Sequence, residues 1–270
     1  MVKFVTVVLL LITIVFTGCG GKESAANTNK GSTSDEARKI VIGIDDEFAP
    51  ISFHDEHNAL VGFDIDLAKE AAERMGVEIE FKPIDWDKKK EEITSGNIDM
   101  IWNGLDITEE RKEYMIFTRS YMNDRQIILI RKGEKHDIYV VGDLEGKVVG
   151  VQAGSTSDDY ITEDENLKNS LKEFKTYIRF NDLVQALKNK EIDVLICDEL
   201  IARYEANRHP GQFEVLNVRI GSVAEMAVGF RKDNVELRDK VQAVFDGMIT
   251  DGTAKKISEQ WFQADVIKQR

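Results

Sequence analysis

Apolar residues in this chain form either short continuous runs or rows at helical spacing, and the two kinds alternate. Residues 40–44, Ile-Val-Ile-Gly-Ile, lie between Lys39 and Asp45. A run this short and apolar reads as a buried strand. Residues 45–53 read as a loop leading into a hairpin around His57, Asn58 and Ala59. Asp64 is the expected N-cap of a helix whose stripe is Leu67, Ala68, Ala71, Ala72 and Met75, stopped by Gly76. Val77, Ile79 and Phe81 alternate with Glu78, Glu80 and Lys82, which predicts a half-buried strand. A helix from Asp85 to about Asn97, a strand at 98–102, a short helix capped by Thr108 and a strand at 126–131 follow. The cycle restarts with a strand at 147–151, a turn at 152–157 opening a helix, a helix at 181–189, a strand at 192–196 and a helix from Asp198. A return strand at 227–230, a helix at 233–250 on Val241, Val244, Phe245 and Met248, and a last helix at 253–262 complete the series.

Strand, loop and helix repeat throughout, so the expected class is α/β with mostly parallel strands. Two similar units in tandem suggest two lobes, which 270 residues can supply with a core each. In open α/β sheets ligands lie beyond the carboxyl ends of strands. Here those ends are Asp45, 103–108, 152–157 and Asp198.

The first 38 residues follow another pattern. Lys3 precedes an apolar stretch over 4–16, then Phe16-Thr17-Gly18-Cys19. That stretch is shorter than the ~20 residues a membrane-spanning helix needs, so it reads as an export signal over 1–18. Small residues before a cysteine resemble the bacterial lipobox, although Phe16 stands where Leu is usual. Lipidation at Cys19 is therefore expected, with 19–38 a polar tether and the body extracytoplasmic at the cell membrane. Cys197 sits in an apolar run and reads as a small buried hydrophobe rather than a disulfide partner. A polyanion-binding protein would show a basic face, so with a net charge of -13 nucleic acid is not an expected partner. No Cys and His spacing suggests zinc, and His54 and His57 fall in the hairpin, where a solvated loop is the better reading than a metal site. No phosphate-binding or nucleophile-elbow motif occurs, so no cofactor is expected.

Two side chains suggest chemistry on their own. Arg111 lies in the first turn of the helix after Thr108. A planar guanidinium there suits a carboxylate, held by two parallel hydrogen bonds in the positive field of the helix start. Asp198 directly follows a buried strand, where it suits either a ligand ammonium or the capping of the next helix.

The pieces Val-Gly-Phe-Asp-Ile-Asp-Leu (61–67), Asp-Trp (85–86), Trp-Asn-Gly-Leu-Asp-Ile-Thr-Glu-Glu-Arg (102–111), Gly-Lys-Val-Val-Gly-Val-Gln-Ala-Gly-Ser-Thr (146–156), Ile-Asp-Val-Leu-Ile-Cys-Asp (192–198) and Trp-Phe (261–262) occur in one order. In that order and spacing the chain resembles the amino-acid-binding family of periplasmic solute-binding proteins. The resemblance implies a type II periplasmic-binding-protein-like fold: two lobes, each a mostly parallel sheet flanked by helices, joined by two hinge strands. Lobe one would hold 39–127 and 225–270, lobe two 128–224, with crossings near 126–131 and 222–229. It implies that Arg111 binds the ligand carboxylate and Asp198 the ammonium, with Phe48 and Trp86 stacking on the side chain; Trp86 alone reads equally as core. The Gly104 carbonyl would meet the ammonium. The backbone N–H of Asp106, with Ser155 and Thr156, would reach the carboxylate. Asn103, Asp45 and Gln152 fall among the ligand-contacting positions. Gln152 is neutral where some relatives carry Lys, which favours a polar neutral or basic amino acid over an acidic one.

Asp106 departs from the family, where Thr or Ser is usual. It either adds a second carboxylate near the ammonium or pairs with Arg111 and weakens carboxylate binding; near Asp198 it would raise one of the two pKa values. The function implied is capture of an amino acid, by a monomer without catalysis, for an ABC permease and a separate ATPase chain. A dehydratase-like enzyme on the same fold is the first alternative. A receptor's sensing module is the second; it would need a transmembrane helix and a signalling domain, and eight residues follow Phe262.

Overall fold

A computed structural model describes residues 39–134 and 136–269. The expected signal over 1–18, the tether over 19–38 and Cys19 lie outside the described residues. The strands form two five-stranded sheets and one small three-stranded sheet. In the first sheet, Ile79–Pro83, Ile40–Ile44 and Met100–Ile101 run parallel. Gly229–Arg231 then pairs antiparallel with Met100–Ile101 and with Met115–Phe117. In the second sheet, Glu173–Tyr177, Val148–Gln152 and Val194–Asp198 run parallel. Met122–Arg131 pairs antiparallel with Val194–Asp198 and with Phe213–Met226. Each sheet thus has a parallel half and an antiparallel edge, the mixed pattern common in α/β folds.

The predicted strands are buried for the reason the sequence suggests, being covered by helices. Ile42, Ile44, Met100 and Phe230 are 0–1% exposed. Helix Phe63–Met75 lays Leu67, Ala68, Ala71 and Ala72 against them, and helix Val235–Thr250 adds Val241, Phe245 and Met248. Each fully buried Ile, Leu or Phe contributes about 1.5–3 kcal/mol of transfer free energy. The last helix, Thr253–Phe262, closes this lobe: the Trp261 indole N–H donates to Asp66 at 2.8 Å, and Phe262 packs edge-on against Phe63. Among the described residues no helix is long and apolar enough to cross a membrane.

Two expectations are corrected and one element is added. Helix Phe63–Met75 starts from Gly62, not from an Asp64 cap. A side chain at Gly62, where φ is 145°, would meet the Ile51 carbonyl at 2.2 Å, so only glycine lets this helix start so close to the Ile51 backbone. Asp64 instead lies inside the first turn and is fully buried. Next, the chain passes from the first sheet to the second between Phe117 and Met122, ahead of the expected 126–131. That stretch is the continuation of a ten-residue strand already paired within the second sheet. The return lies between Met226 and Gly229, inside the expected 222–229. Lastly, Phe213–Met226 is a fourteen-residue strand that the pattern did not reveal. Its register slips between Leu216 and Arg219 and again between Ile220 and Ala224. Each bulge shifts the two-residue alternation that would have marked it.

Candidate functional site

The carboxyl ends of both sheets' parallel strands face one narrow cavity, whose walls nearly fill it. All eleven residues singled out in the sequence line it: Asp45, Phe48, Trp86, Asn103, Gly104, Asp106, Arg111, Gln152, Ser155, Thr156 and Asp198. Gln126, Phe180, Ile196 and Cys197 line it as well and were missed. His54 bonds to Asp46 on the hairpin, and His57 points outward.

The first sheet's side is braced by long-range bonds. The Asp45 amide donates to Asn103 Oδ1 at 3.2 Å, and the Ser52 hydroxyl donates to the Asp45 carbonyl at 2.6 Å. Asp64 sits behind the loop: its Oδ2 accepts the Gly104 amide at 2.6 Å and the Tyr121 hydroxyl at 2.8 Å. Burial pushes its carboxyl up to about 7 against those two donors. Thr108 caps helix Glu109–Lys112 as expected, its Oγ1 accepting from the Arg111 amide at 3.1 Å. That cap fixes the turn from which the Arg111 side chain enters the cavity. Arg111 is 1% exposed. Its Nη1 donates to the Asp106 carbonyl at 3.0 Å and its Nη2 to the Gly154 carbonyl at 3.4 Å, while Nε has no partner. Among the described residues Asp159 is the carboxylate paired with it, at 3.8 Å from Nη2, so the guanidinium has donors to offer an incoming anion.

The second sheet's side is organised by Gln126. Its amide nitrogen donates to Asp124 at 2.8 Å and to Asp198, and its carbonyl accepts the Ser157 hydroxyl at 2.5 Å. Asp198 begins helix Glu199–Arg208 without any side-chain capping bond. The capping alternative therefore has no support, and the carboxylate faces the cavity. Ser155 caps helix Thr156–Glu163, its Oγ accepting from the Asp158 amide at 3.1 Å. Cys197 is buried on the cavity floor, where burial holds its thiol protonated far above the usual range.

Both sides meet across the cavity, so the cleft is closed. Gln152 Nε2 donates to Asp45 Oδ2 at 2.6 Å, and the Thr156 hydroxyl to Asp106 Oδ2 at 2.7 Å. Lys89 Nζ donates to the Gly154 carbonyl at 2.5 Å. Arg179 pairs with Asp46 at 3.2 Å and with Glu47. Phe48 meets Phe180 edge-to-face at 5.2 Å, a favourable aromatic geometry.

Asp106 makes contacts that bear on both of its readings. Its carbonyl, not its carboxylate, bonds Arg111; its carboxylate takes Thr156 on one oxygen and leaves Oδ1 without a partner. It adds a carboxylate near Asp198. Burial, then the Asp106 charge, push Asp198 up to about 7. Burial also raises Asp106, against the attraction of Arg111. At the other end burial raises Asp45, against the Gln152 bond, and its charged neighbours are Glu47 and Arg179. The cavity thus has a guanidinium with a carboxylate cluster at one end and a separate carboxylate at the other.

The sequence matches the family model of the bacterial extracellular solute-binding proteins, family 3, over residues 40–264. It is similar to the arginine-binding extracellular protein ArtP of Bacillus subtilis, 29% identical over 266 residues, covering 94% of this chain and 95% of that one. It is also similar to the L-cystine-binding protein TcyJ of Escherichia coli K12, 30% identical over 233 residues and covering 86% of each. Among solved structures it resembles an ABC uptake transporter substrate-binding protein from Streptococcus pneumoniae with bound histidine. There the TM-score is 0.79 and the identity 37%, over 86% of this chain and 95% of that one. The two-sheet fold, the shared cleft and this match over nearly the whole described body agree: the chain belongs to the bacterial extracellular solute-binding proteins of family 3.

Proposed function

We propose that this protein is the extracytoplasmic substrate-binding component of an ABC importer for an amino acid with a cationic side chain. One observation carries the reading: the cavity lining holds three carboxylates, Asp45, Asp106 and Asp198, and a single cation, Arg111. A zwitterion satisfies Arg111 with its carboxylate and Asp198 with its ammonium. Asp45 at the far end then accepts a second positive group. The sequence left neutral and basic ligands open, and three carboxyl groups against one guanidinium in the lining favour the basic ones. The arginine-binding and histidine-bound relatives support the same class. Phe48 and Trp86 supply ring faces for the aliphatic or guanidinium part.

Capture proceeds by closure of two lobes, one on each sheet, about the two passages at Phe117–Met122 and Met226–Gly229. The ligand stabilises the closed form because only there does it touch both sides. A permease and a separate ATPase chain take it onward, and lipid at Cys19 holds the monomer at the membrane. An Asp198 carboxyl near 7 also suits a general acid, as a dehydratase-like enzyme would need. The Gln126 amide holds an oxygen of that carboxyl, however, and the ammonium-and-carboxylate pairing of Asp198 with Arg111 favours binding, so we assign binding without turnover.

A thermal-shift screen over the common amino acids tests the reading. Ligand at 100 times its Kd adds about 2.7 kcal/mol of stability. L-Arginine, L-lysine or L-histidine is expected to give the largest shift and to be recovered unchanged. Arg111→Ala is expected to abolish it; an unchanged shift removes the carboxylate assignment. Cys19→Ser is expected to release the protein from membranes in fractionation of the native host, and full retention removes the lipid anchor.

A further inference from the structure

Behind Arg111 lies a second cation. Lys89 stands outside the cavity lining, yet it is only 6% exposed. Lysine is seldom buried so fully without partners, because its ammonium gives up water. Its partners here all belong to the binding site. Nζ donates to the Trp86 carbonyl at 3.3 Å and lies 5.6 Å from the centre of the Trp86 ring. Across the cleft it donates to the Gly154 carbonyl at 2.5 Å. The same carbonyl accepts from Arg111 Nη2 at 3.4 Å. Two cations thus meet at one oxygen, and Lys89 holds it at the shorter distance. Gly154 is fixed through its amide as well, which donates to Asp158 Oδ2 at 2.8 Å. The turn held in this way carries Ser155 and Thr156 into the cavity wall.

Resting on the amino-acid reading above, we propose that Lys89 is a positioning residue for the ligand's carboxylate: on closure its ammonium takes the Gly154 carbonyl from the opposite side of the cleft, which masks that oxygen and leaves the Arg111 donors to the ligand. A carbonyl oxygen beside a guanidinium repels an arriving carboxylate and competes with it for the same N–H groups. A short bond from an ammonium removes both effects. Lys89 follows Ile79–Pro83 of the first sheet, and Gly154 follows Val148–Gln152 of the second, so the bond forms only where the two sides meet. The charged groups facing Lys89 come from three elements. Arg111 and Glu110 stand on helix Glu109–Lys112, Asp159 on helix Thr156–Glu163, and Asp87 just before Lys89 itself. Burial first, then the Arg111 charge, lower the amine to about 8, against the attraction of the three carboxylates. Lys89 therefore stays an ammonium at neutral pH while the Gly154 backbone covers it.

Two experiments on the whole protein test this. In the first, acetic anhydride modifies the lysines and peptide mass spectrometry reads Lys89 with and without L-arginine. Ligand is expected to protect Lys89 several-fold, while the exposed Lys240 reacts equally in both samples. In the second, isothermal titration compares L-arginine with its methyl ester, which keeps the ammonium and the side chain but carries no carboxylate charge. L-Lysine or L-histidine, each with its ester, replaces that pair where it binds more tightly. Lys89→Met is expected to weaken the free amino acid about tenfold and the ester much less, the loss of about one charged hydrogen bond. Its ligand-free melting temperature should stay near wild type, since the open cleft leaves residue 89 in water. Lys89→Gln, which keeps an N–H donor without the charge, is expected to fall between. A residue that merely packs the two sides together would weaken acid and ester alike. Equal weakening of both, affinity unchanged in both variants, or a Lys89 that ligand does not protect would each overturn the inference and leave the amino-acid reading intact. A wild type that binds no amino acid ends that reading, and this inference with it.

Discussion

The two sides of the cleft hold their binding groups by different means. On the second sheet's side the groups sit where one strand runs into one helix. Ser155 and Thr156 follow Val148–Gln152, Asp198 closes Val194–Asp198, and the neighbouring strand's Gln126 ties Asp124, Asp198 and Ser157 together. On the first sheet's side the groups come from loops that cannot hold themselves. Asn103 and Ser52 fix Asp45, and Asp64 fixes Gly104 through a bond spanning 40 residues of sequence. The contrast separates scaffolding from closure. On the function proposed above, the first side is braced ahead of the ligand because it carries Arg111, and the second side brings the contacts that closure completes.

Asp64 is where this contrast can be broken with the largest effect. Asp64→Ala leaves the Gly104 amide and the Tyr121 hydroxyl without their acceptor, in a site fully closed to water. Two buried donors at about 1–3 kcal/mol each predict a stability loss of about 2–6 kcal/mol. Tyr121 stands at the first passage between the sheets, its amide donating to the Met226 carbonyl at 2.9 Å, so the hinge loosens with the loop. Asp64→Asn is the sharper variant. Both donors use Oδ2, which an amide carbonyl can replace, while Oδ1 has no partner to lose. Urea unfolding should show Asp64→Ala strongly destabilised and Asp64→Asn near wild type. Equal losses would mean that the charge, not the acceptor, braces the loop. The pH dependence has a definite sign as well. Burial raises this carboxyl to about 7, so its contribution to stability is greatest at acid pH and fades as pH rises through that value. Asp64→Asn should remove that decline.

The same contrast explains what the sequence disclosed. Second-side residues announce themselves locally: an apolar run, then a polar residue, then a helix start, as at Val194 to Glu199. Arg111 was legible because its Thr108 cap lies three residues away. The brace was not. Asp64 precedes an apolar helical stripe and looks like an N-cap, and nothing in its neighbourhood points to partners 40 and 57 residues on. Gln126 reads as one more residue of a strand until the fold puts Asp198 opposite it in the antiparallel register. Phe180 and Cys197 look like core, and they are core that also forms cavity wall. Asp106 stands out in the sequence as a departure from a family pattern, but its bond to Thr156 and its carbonyl contact to Arg111 are visible only in the fold.

Gly154 tests the closure half with a smaller effect, on affinity rather than on stability. It has φ +70°, and a Cβ there would come within 2.8 Å of the Asp87 Cα and 3.0 Å of Lys89 Nζ. Both belong to the opposite side of the cleft, so the collision exists only when the lobes meet. Gly154→Ala carries a left-handed backbone cost of about 1–2 kcal/mol in the open and closed forms alike. That cost cancels in binding and the collision does not. Gly146→Ala is the matched control, since Gly146 has φ +72° with nothing within 4 Å of its added Cβ. Both variants should melt lower by similar amounts. Only Gly154→Ala should weaken L-arginine in isothermal titration, by about tenfold if relief of the clash takes about 1.4 kcal/mol from closure. Two variants with equal affinity would show that ligand binds without bringing Gly154 against Asp87, and the second side would then need another means of completing the site.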